Sequence, residues 1–343
     1  MRALKRRLLL LLMVLAGLGI TMITSTDSLR AEQKAPEGKA AKPIRITLAG
    51  YSVGGSSAVV GEAIGEAIKR TAPGSAFTYE PGQSGANEVT VATGKTELGL
   101  SHVFTTKAAM EGKEFYKKTY PNLRAIAYLH DTYETMVFRK DAGITSIEQI
   151  KEKKFPLMAG VNTKNSVMEA MARYALEAYG ISYNDIDKWG GKINFLASNP
   201  TIDLMRNKRA HAFIGGVTPP HTPYNELAIN VDLIWLPMSD EAIQYVAKKM
   251  GGGRKVAILK EWHPKFMSKD LPAVGVPNIL ITSTEIPEEE IYLVTKALVN
   301  HLDYIHKVSG QLAPMTKATM VKEIGGIPLH PGAEKFYREM GML

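Results

Sequence analysis

Strand-like apolar runs alternate with helix-like segments from Ile44 to the end of the chain. Runs such as "IRITLA", "AFTYE", "ELGLSH" and "FPLMAG" have the length and apolar content of buried strands. Apolar residues at helical spacing predict helices over 57–70, 167–179 and 287–305, and a last helix after Pro331. Such alternation of strands and helices is typical of an α/β fold.

The same plan occurs twice along the chain, although the sequence shows no tandem repeat. The extended stretches 134–140 and 273–283 join the two blocks, so we expect two α/β lobes linked by two crossing strands. We predict "LRAIAYLH" and "ETMVFRK" as separate strands, and Pro277 argues against a central position for the middle of the strand 273–283. The expected boundaries are a first lobe at 44–135, a second lobe at 136–272, and a return strand with C-terminal helices at 273–343 that completes the first lobe.

Residues 1–31 have the features of an export signal. Basic residues between positions 2 and 7 precede the apolar stretch Leu8–Ile20, which is too short for a comfortable membrane span. We therefore expect a signal peptide at 1–31 and a periplasmic protein, with an uncleaved inner-membrane anchor as the alternative. Residues 32–43 are polar and lack periodicity, which predicts a flexible leader.

The composition narrows the classes of function. The chain has 343 residues, 45% of them apolar, which is enough for two well-filled cores. It has no cysteine, which excludes disulfides, thiolate metal sites, a cysteine nucleophile and a lipoprotein anchor. Residues 1–31 carry +4 of the formal net charge of +8. The remaining +4 is a mildly basic surface and does not indicate nucleic-acid binding.

Three polar loops share one design, in which a strand leads through small polar residues into the start of a helix. Helix starts leave backbone N–H groups unpaired and favour an anion, and such loops collect at the carboxyl ends of strands. One interpretation is a shared anion site across a cleft, and the other is three ordinary capped helices. The loops comprise Gly54, Gly55, Ser56 and Ser57, then Gln83, Ser84, Gly85, Ala86 and Asn87, then Lys164, Asn165 and Ser166.

The sequence contains no nucleophile elbow, dinucleotide fingerprint, phosphate loop or metal-type histidine pair. His102 follows the strand "ELGLS" and could face a cleft, although a hydrogen-bonded structural histidine is an equal interpretation. His102 with Glu134 is the one acid–base pair that we can nominate for a cleft enzyme. The sequence therefore favours binding over catalysis, with no cofactor and no metal.

Several longer stretches are more specific: "GYSVGGSS", "PGQSGANEVTVATGKTELGLS", "LEAYGISYNDIDKWGGKINF", "LPAVGVPNILITS" and "IPLHPGAEKFYREMG". In these stretches the chain resembles the solute-binding proteins of TRAP transporters of the TAXI family, from Ile44 to Leu343. The resemblance implies a bilobed periplasmic-binding-protein fold, type II-like, that closes on a ligand and delivers it to an ion-driven TRAP permease. It also implies a small organic acid as ligand, a dicarboxylate or an amino-acid type such as glutamate or 2-oxoglutarate. We expect a monomer.

The resemblance also places the cleft on particular residues. The family's ligand-binding positions fall on the first two loops, on Ser101 and His102, on the second-lobe loop with Asn165 and Ser166, and on the crossing segment at Tyr133 and Glu134. Lys164 adds a positive charge that suits a carboxylate. The first loop has Ser56-Ser57-Ala58 where the family usually has aromatic residues, which leaves the ligand open. A ligand-sensing module remains an alternative to a transport receptor.

Overall fold

The computed structural model describes residues 42–51 and 56–343. The strands of these residues are β1 Arg45–Ala49, β2 Ala76–Glu80, β3 Leu98–His102, β4 Leu123–Arg139, β5 Met158–Gly160, β6 Lys192–Asn194, β7 Ala212–Val217, β8 Leu233–Trp235, β9 Arg254–Ile258 and β10 Leu271–Ser283. The helices are α1 Ser56–Thr71, α2 Asn87–Ala92, α3 Val103–Glu111, α4 Glu148–Glu152, α5 Val167–Ala178, α6 Tyr183–Lys188, α7 Ser198–Arg206, α8 Thr222–Leu227, α9 Asp240–Lys249, α10 Glu288–Asn300, α11 Leu302–Val308, α12 Thr319–Lys322 and α13 Pro331–Glu339.

The strands form one sheet in the order β2-β1-β3-β10-β4-β7-β5-β6, with β8 paired to β4 and β9 paired to β10. At one end β1 pairs in parallel with β2 and β3, and at the other β5 pairs in parallel with β6 and β7. We call these two parts, with the helices packed on them, the first lobe and the second lobe.

Two long antiparallel strands connect the lobes. β4 pairs with β10 over its first part and with β7 and β8 over its last part. β10 pairs with β9 through residues 271–275 and with β3 through residues 278–281. The predicted fold class, two α/β lobes joined by crossing strands, is confirmed. The residue numbers predicted for the lobe boundaries remain a proposal, since β4 and β10 run through them without interruption.

The structure corrects two details of the prediction and bears out a third. The two strands predicted on either side of Asp131 are one continuous strand, β4, because Asp131 is buried there in an ion pair with Arg254. The prediction for Pro277 is confirmed, since β10 is central in the sheet but its middle is not. Pro277 lies between the stretches that pair with β9 and β3, so at this point β10 has only β4 beside it among the described strands. The helix predicted over 287–305 is broken at His301 into α10 and α11.

The first-lobe core forms on the apolar face of α1. Val60, Ile64 and Ile68 recur at helical spacing and are fully buried against β1, β3, α10 and α13. Gly61 and Gly65 are required here, because a Cβ at either position would lie 2.2–2.3 Å from the ring of Tyr79 or Phe77. The two aromatic rings of β2 can therefore pack directly on the helix backbone.

The second-lobe core forms on α5 and α9. The apolar face of α5 is buried, and its buried residues include Ala170, Met171, Ala175 and Leu176. The described helices include none that combines the length and apolar character needed to cross a bilayer. The predicted signal peptide at 1–31 and most of the predicted leader lie outside the described residues.

Candidate ligand-binding site

A cavity of about 190 Å³ lies between the two lobes, beside the crossing strands. Since a single water needs only about 10–15 Å³, the cavity has room for a small organic molecule. The first lobe and the crossing strands supply Tyr51, Ser57, Val60, Leu100, Leu129, His130, Thr132, Asn278 and Gln311, and the second lobe supplies Met168 and Thr218. The lining therefore mixes apolar side chains with hydroxyl, amide and imidazole groups.

Tyr79 fixes the position of the N-terminus of α1. Its hydroxyl accepts a hydrogen bond from the Tyr51 backbone N–H at 2.9 Å. The same hydroxyl can donate its hydrogen to the Tyr51 carbonyl at 2.9 Å or to the Ser57 hydroxyl at 3.2 Å. A Cβ at Gly50 would lie 2.1 Å from the Tyr79 ring. This packing positions Tyr51 and Ser57, which both line the cavity in this lobe.

Four polar side chains form a connected row along one side of the cavity. The Tyr51 hydroxyl lies 3.1 Å from His102 Nδ1, and His102 Nε2 lies 3.2 Å from the Thr132 hydroxyl. Asn278 Nδ2 donates to the Thr132 hydroxyl at 2.9 Å. We call Tyr51, His102, Thr132 and Asn278 the polar wall. It joins the end of β1, β3 and both crossing strands.

Both histidines near the cavity are neutral at pH 7. Burial, together with the nearby His130, lowers the pKa of His102 to about 3. Burial also lowers the pKa of His130 to about 4, and its Nδ1–H donates to the Asp131 carbonyl at 3.1 Å. The polar groups of the described lining are thus uncharged hydrogen-bonding groups.

The second predicted loop is bonded to the ends of two neighbouring strands. The Asn87 side chain is buried and donates to the carbonyls of Gly50 and Leu100 at 2.8 and 2.9 Å. Glu88 accepts from the Gly85 backbone at 3.0 Å and from the Ser101 hydroxyl at 2.5 Å. Gln83, Ser84, Gly85, Ala86, Asn87 and Ser101 are not among the described residues that line the cavity.

We expect Asn87→Ala to lower the free energy of unfolding by about 1–3 kcal/mol, because it removes two hydrogen bonds to buried carbonyls. Guanidinium unfolding followed by circular dichroism measures this. Thr90→Ala in the same helix is the matched control, because its hydroxyl bonds only Ala86 at an exposed site. Equal stability of the two variants would show that Asn87 does not hold these strand ends.

The two predicted residues of the crossing segment lie inside β4. The Tyr133 ring packs edge-on against Trp262, with ring centroids 5.7 Å apart. The Glu134 carboxyl is buried, and neither of its oxygens has a hydrogen-bond partner among the described residues. Burial raises its pKa well above the ordinary value. Glu134 shares a face of β4 with Thr132 and lies opposite Gly216, but it is not among the described residues that line the cavity.

We expect Glu134→Leu to stabilise the protein at pH 7 by about 1–3 kcal/mol, because it removes two unpartnered buried oxygens. The folded pKa lies above the unfolded one, so Glu134 destabilises the fold increasingly as pH rises above about 4.5. The gain should therefore grow with pH in that range, which melting temperatures at several pH values measure. Glu134→Gln, which removes the ionisation and keeps the polar atoms, should gain less. A loss of stability in Glu134→Leu would contradict this account.

The third loop provides a helix cap. The Ser166 hydroxyl accepts from the Glu169 backbone at 3.2 Å and caps α5. Asn165 has a left-handed backbone with φ of 62°. Lys164 is exposed, and its Nζ lies 5.6 Å from the centre of the Phe195 ring. In this part of the second lobe, Met168 in the first turn of α5 lines the cavity.

The structure thus assembles part of the predicted set. Ser57 lines the cavity and His102 belongs to the polar wall, whereas Gly54 and Gly55 lie outside the described residues and Ser56 opens α1. Sequence reasoning missed Tyr51, although it stands inside "GYSVGG". It also missed the lining residues His130, Thr132, Met168, Thr218, Asn278 and Gln311. Polar residues inside predicted buried strands, such as Asn278, are the signal that could have found some of them.

No cluster of three or more histidine, aspartate or glutamate side chains within 42–51 and 56–343 is arranged to hold a metal ion. His102 is poorly placed for acid–base chemistry, since both its ring nitrogens are hydrogen-bonded and its pKa is about 3. The arrangement suits recognition of a small polar molecule through uncharged donors and acceptors.

Solved structures with the same fold cover nearly the whole chain. A TctC solute-binding protein from Polaromonas has a TM-score of 0.51 and 17% identity, over 89% of this chain and 100% of its own. The periplasmic binding protein BugD has a TM-score of 0.52 and 13% identity, over 87% and 95%. MatC from Rhodopseudomonas palustris, with bound malate, has a TM-score of 0.52 and 12% identity, over 89% and 99%.

At identities this low, the structural match shows only that the fold is shared. That fold is the bilobed α/β fold of periplasmic binding proteins. The family is shown by sequence. The model of the NMT1-like family matches residues 48–341, and the chain therefore belongs to the NMT1-like family.

Proposed function

We propose that this protein is a periplasmic receptor that captures a small organic acid between its two lobes and delivers it to a membrane permease. The observation that carries the proposal is the cavity between the lobes, which uncharged hydrogen-bonding groups and apolar side chains line together. Ligand pockets commonly combine an apolar lining with a few placed polar groups. Closure of two lobes around a ligand is a common motion of this architecture.

Ser57 brings the first turn of α1 to the cavity, and α1 is 16 residues long. The N-terminus of such a helix carries roughly half a positive charge and unpaired N–H groups, which suits a carboxylate. Tyr51 and Thr132 add hydroxyl groups nearby. A carboxylate could therefore be held without a basic side chain.

A dicarboxylate or an amino-acid type of acid, such as glutamate or 2-oxoglutarate, is the ligand class that the TAXI resemblance implies. The malate bound to MatC supports a small carboxylate for this fold. The partner that the same resemblance implies is an ion-driven TRAP permease in the inner membrane. The protein would bind its ligand without transforming it.

Calorimetric titration of the chain from Glu32 onward tests this proposal, after unfolding and refolding to remove any carried-over ligand. The panel contains glutamate, 2-oxoglutarate, malate, succinate, simple monocarboxylates and a neutral sugar. We expect one acid to bind with a stoichiometry of one and micromolar or tighter affinity, with no product formed. Turnover of the bound acid would favour the alternative of a cleft enzyme. If none of the acids binds, the assignment of a carboxylate ligand is overturned.

A further inference from the structure

The polar wall has one more hydrogen than its internal bonds use. The Tyr51 hydroxyl, the neutral His102 ring and the Thr132 hydroxyl each carry one polar hydrogen. The contacts from Tyr51 to His102 and from His102 to Thr132 use two of the three. Asn278 does not change this count within the row, because its amide donates to Thr132 with a hydrogen of its own. One O–H hydrogen is left over, and Tyr51 and Thr132 both line the cavity.

The tautomer of His102 decides which hydroxyl keeps the free hydrogen. With the proton on Nδ1, His102 donates to Tyr51 and accepts from Thr132, so Tyr51 has its O–H free for the cavity. With the proton on Nε2, His102 accepts from Tyr51 and donates to Thr132, so Thr132 has its O–H free. In each case one hydroxyl can donate to a ligand and the other can only accept.

We propose that His102 is a positioning residue that makes the polar wall offer one donor and one acceptor to the ligand, so that the preferred ligands are hydroxy or amino acids. This inference rests on the proposed function and narrows its ligand class. A carboxylate oxygen of the ligand would take the free O–H, and its neighbouring hydroxyl or ammonium group would donate to the other hydroxyl. An acid without that second group would leave a buried acceptor without a partner, which weakens binding.

His102 is suited to this role because it is fully buried and does not itself line the described cavity. Its low pKa keeps a single proton on the ring at pH 7. A doubly protonated ring would donate on both sides and free both hydroxyls as donors, so a neutral ring is what fixes the ratio of one donor to one acceptor.

Affinities for matched acids test the ligand class. We expect malate to bind at least about tenfold more tightly than succinate, and glutamate at least about tenfold more tightly than 2-oxoglutarate. Each pair differs in the group next to one carboxylate. Equal or tighter binding of succinate and 2-oxoglutarate would overturn the inference while leaving the receptor in place.

A double-mutant cycle tests the link through His102. Tyr51→Phe and Thr132→Val each leave one hydroxyl, and the tautomer in which the His102 N–H donates to that hydroxyl frees the hydroxyl's own hydrogen for the ligand. Each single variant should therefore keep part of the affinity for malate or glutamate. The double variant should lose at least about threefold more than the product of the single losses. Independent effects of the two substitutions would contradict a shared hydrogen.

Nitrogen NMR of the ligand-free, histidine-labelled protein decides the network even if no acid binds. We expect the His102 ring, assigned by its absence in His102→Gln, to carry one N–H and not to titrate between about pH 5 and 8. Titration in that range would overturn the inference. If the ring is neutral but none of the acids binds, the proposal of an organic-acid receptor is rejected while the hydrogen-bond network of the polar wall is retained.

Discussion

Ser57→Trp should reduce the affinity for the bound acid at least about 100-fold while the fold stays intact. Ser57 lies in the first turn of α1 and lines the cavity of about 190 Å³. An indole there would fill space that the ligand needs. The ligand could then enter only if the indole moved into well-packed neighbouring side chains. The measurement is calorimetric titration with glutamate and malate, together with circular dichroism to check the fold.

Val59→Trp is the matched control, because Val59 lies two residues along the same helix and its side chain is 39% exposed. This variant should bind as the wild type does. Unchanged affinity in Ser57→Trp would remove the start of α1 from the site. Equal losses in both variants would show that the substitutions disturb the helix as a whole.

The architecture could be predicted from the sequence because local pattern and tertiary structure agree in most elements. The helix predicted over 57–70 is α1, and the strand "AFTYE" is β2 from end to end. The stretches 134–140 and 273–283, which we predict as crossing strands because they join two similar blocks, fall almost wholly within β4 and β10. These features depend on residues that are neighbours in sequence.

The polar wall depends on residues far apart in sequence, and for that reason sequence reasoning found only His102. Asn278 and Thr132 are 146 residues apart and meet because β10 pairs with β4. The loop residues Asn87 and Ser166 carry the polar groups expected of a site, yet their side chains bond to the protein backbone. A capping residue and a ligand-binding residue have the same sequence signature.

The break predicted near Asp131 failed for a similar reason. An aspartate followed by polar residues is typical of a turn, but here the carboxylate is 4% exposed and bonded to Arg254 at 2.6 Å. The sequence does not show that Arg254, 123 residues later, comes to lie beside it. Burial of such a charge requires a partner, and the partner is visible only in the fold.

Arg254 joins β9 to the crossing strand and to the C-terminal region. Its guanidinium donates to Asp131 at 2.6 Å and to the Tyr128 hydroxyl at 3.2 Å, both on β4. It also donates to Glu323, just after α12, at 2.6 Å. Burial raises the pKa of Asp131 to about 6, and Arg254 counters this shift. The crossing strand thus keeps a buried carboxylate whose main counter-charge is Arg254.

Arg254→Met should lower the free energy of unfolding by about 3 kcal/mol at pH 7.5, because it removes the cation that pairs with the buried Asp131 carboxyl. This is the low end for a buried pair, since the Arg254 side chain is 32% exposed. The pKa of Asp131 should rise further without Arg254. Since a buried acid with a raised pKa destabilises the fold as pH rises, the loss should be smaller near pH 4.5, where Asp131 is protonated. Guanidinium unfolding at both pH values measures this.

Lys255→Met is the control, because its ion pair with Asp240 is more than half exposed and should contribute at most about 1 kcal/mol. Similar losses in the two variants, or a loss in Arg254→Met that does not depend on pH, would show that Asp131 is stabilised without Arg254.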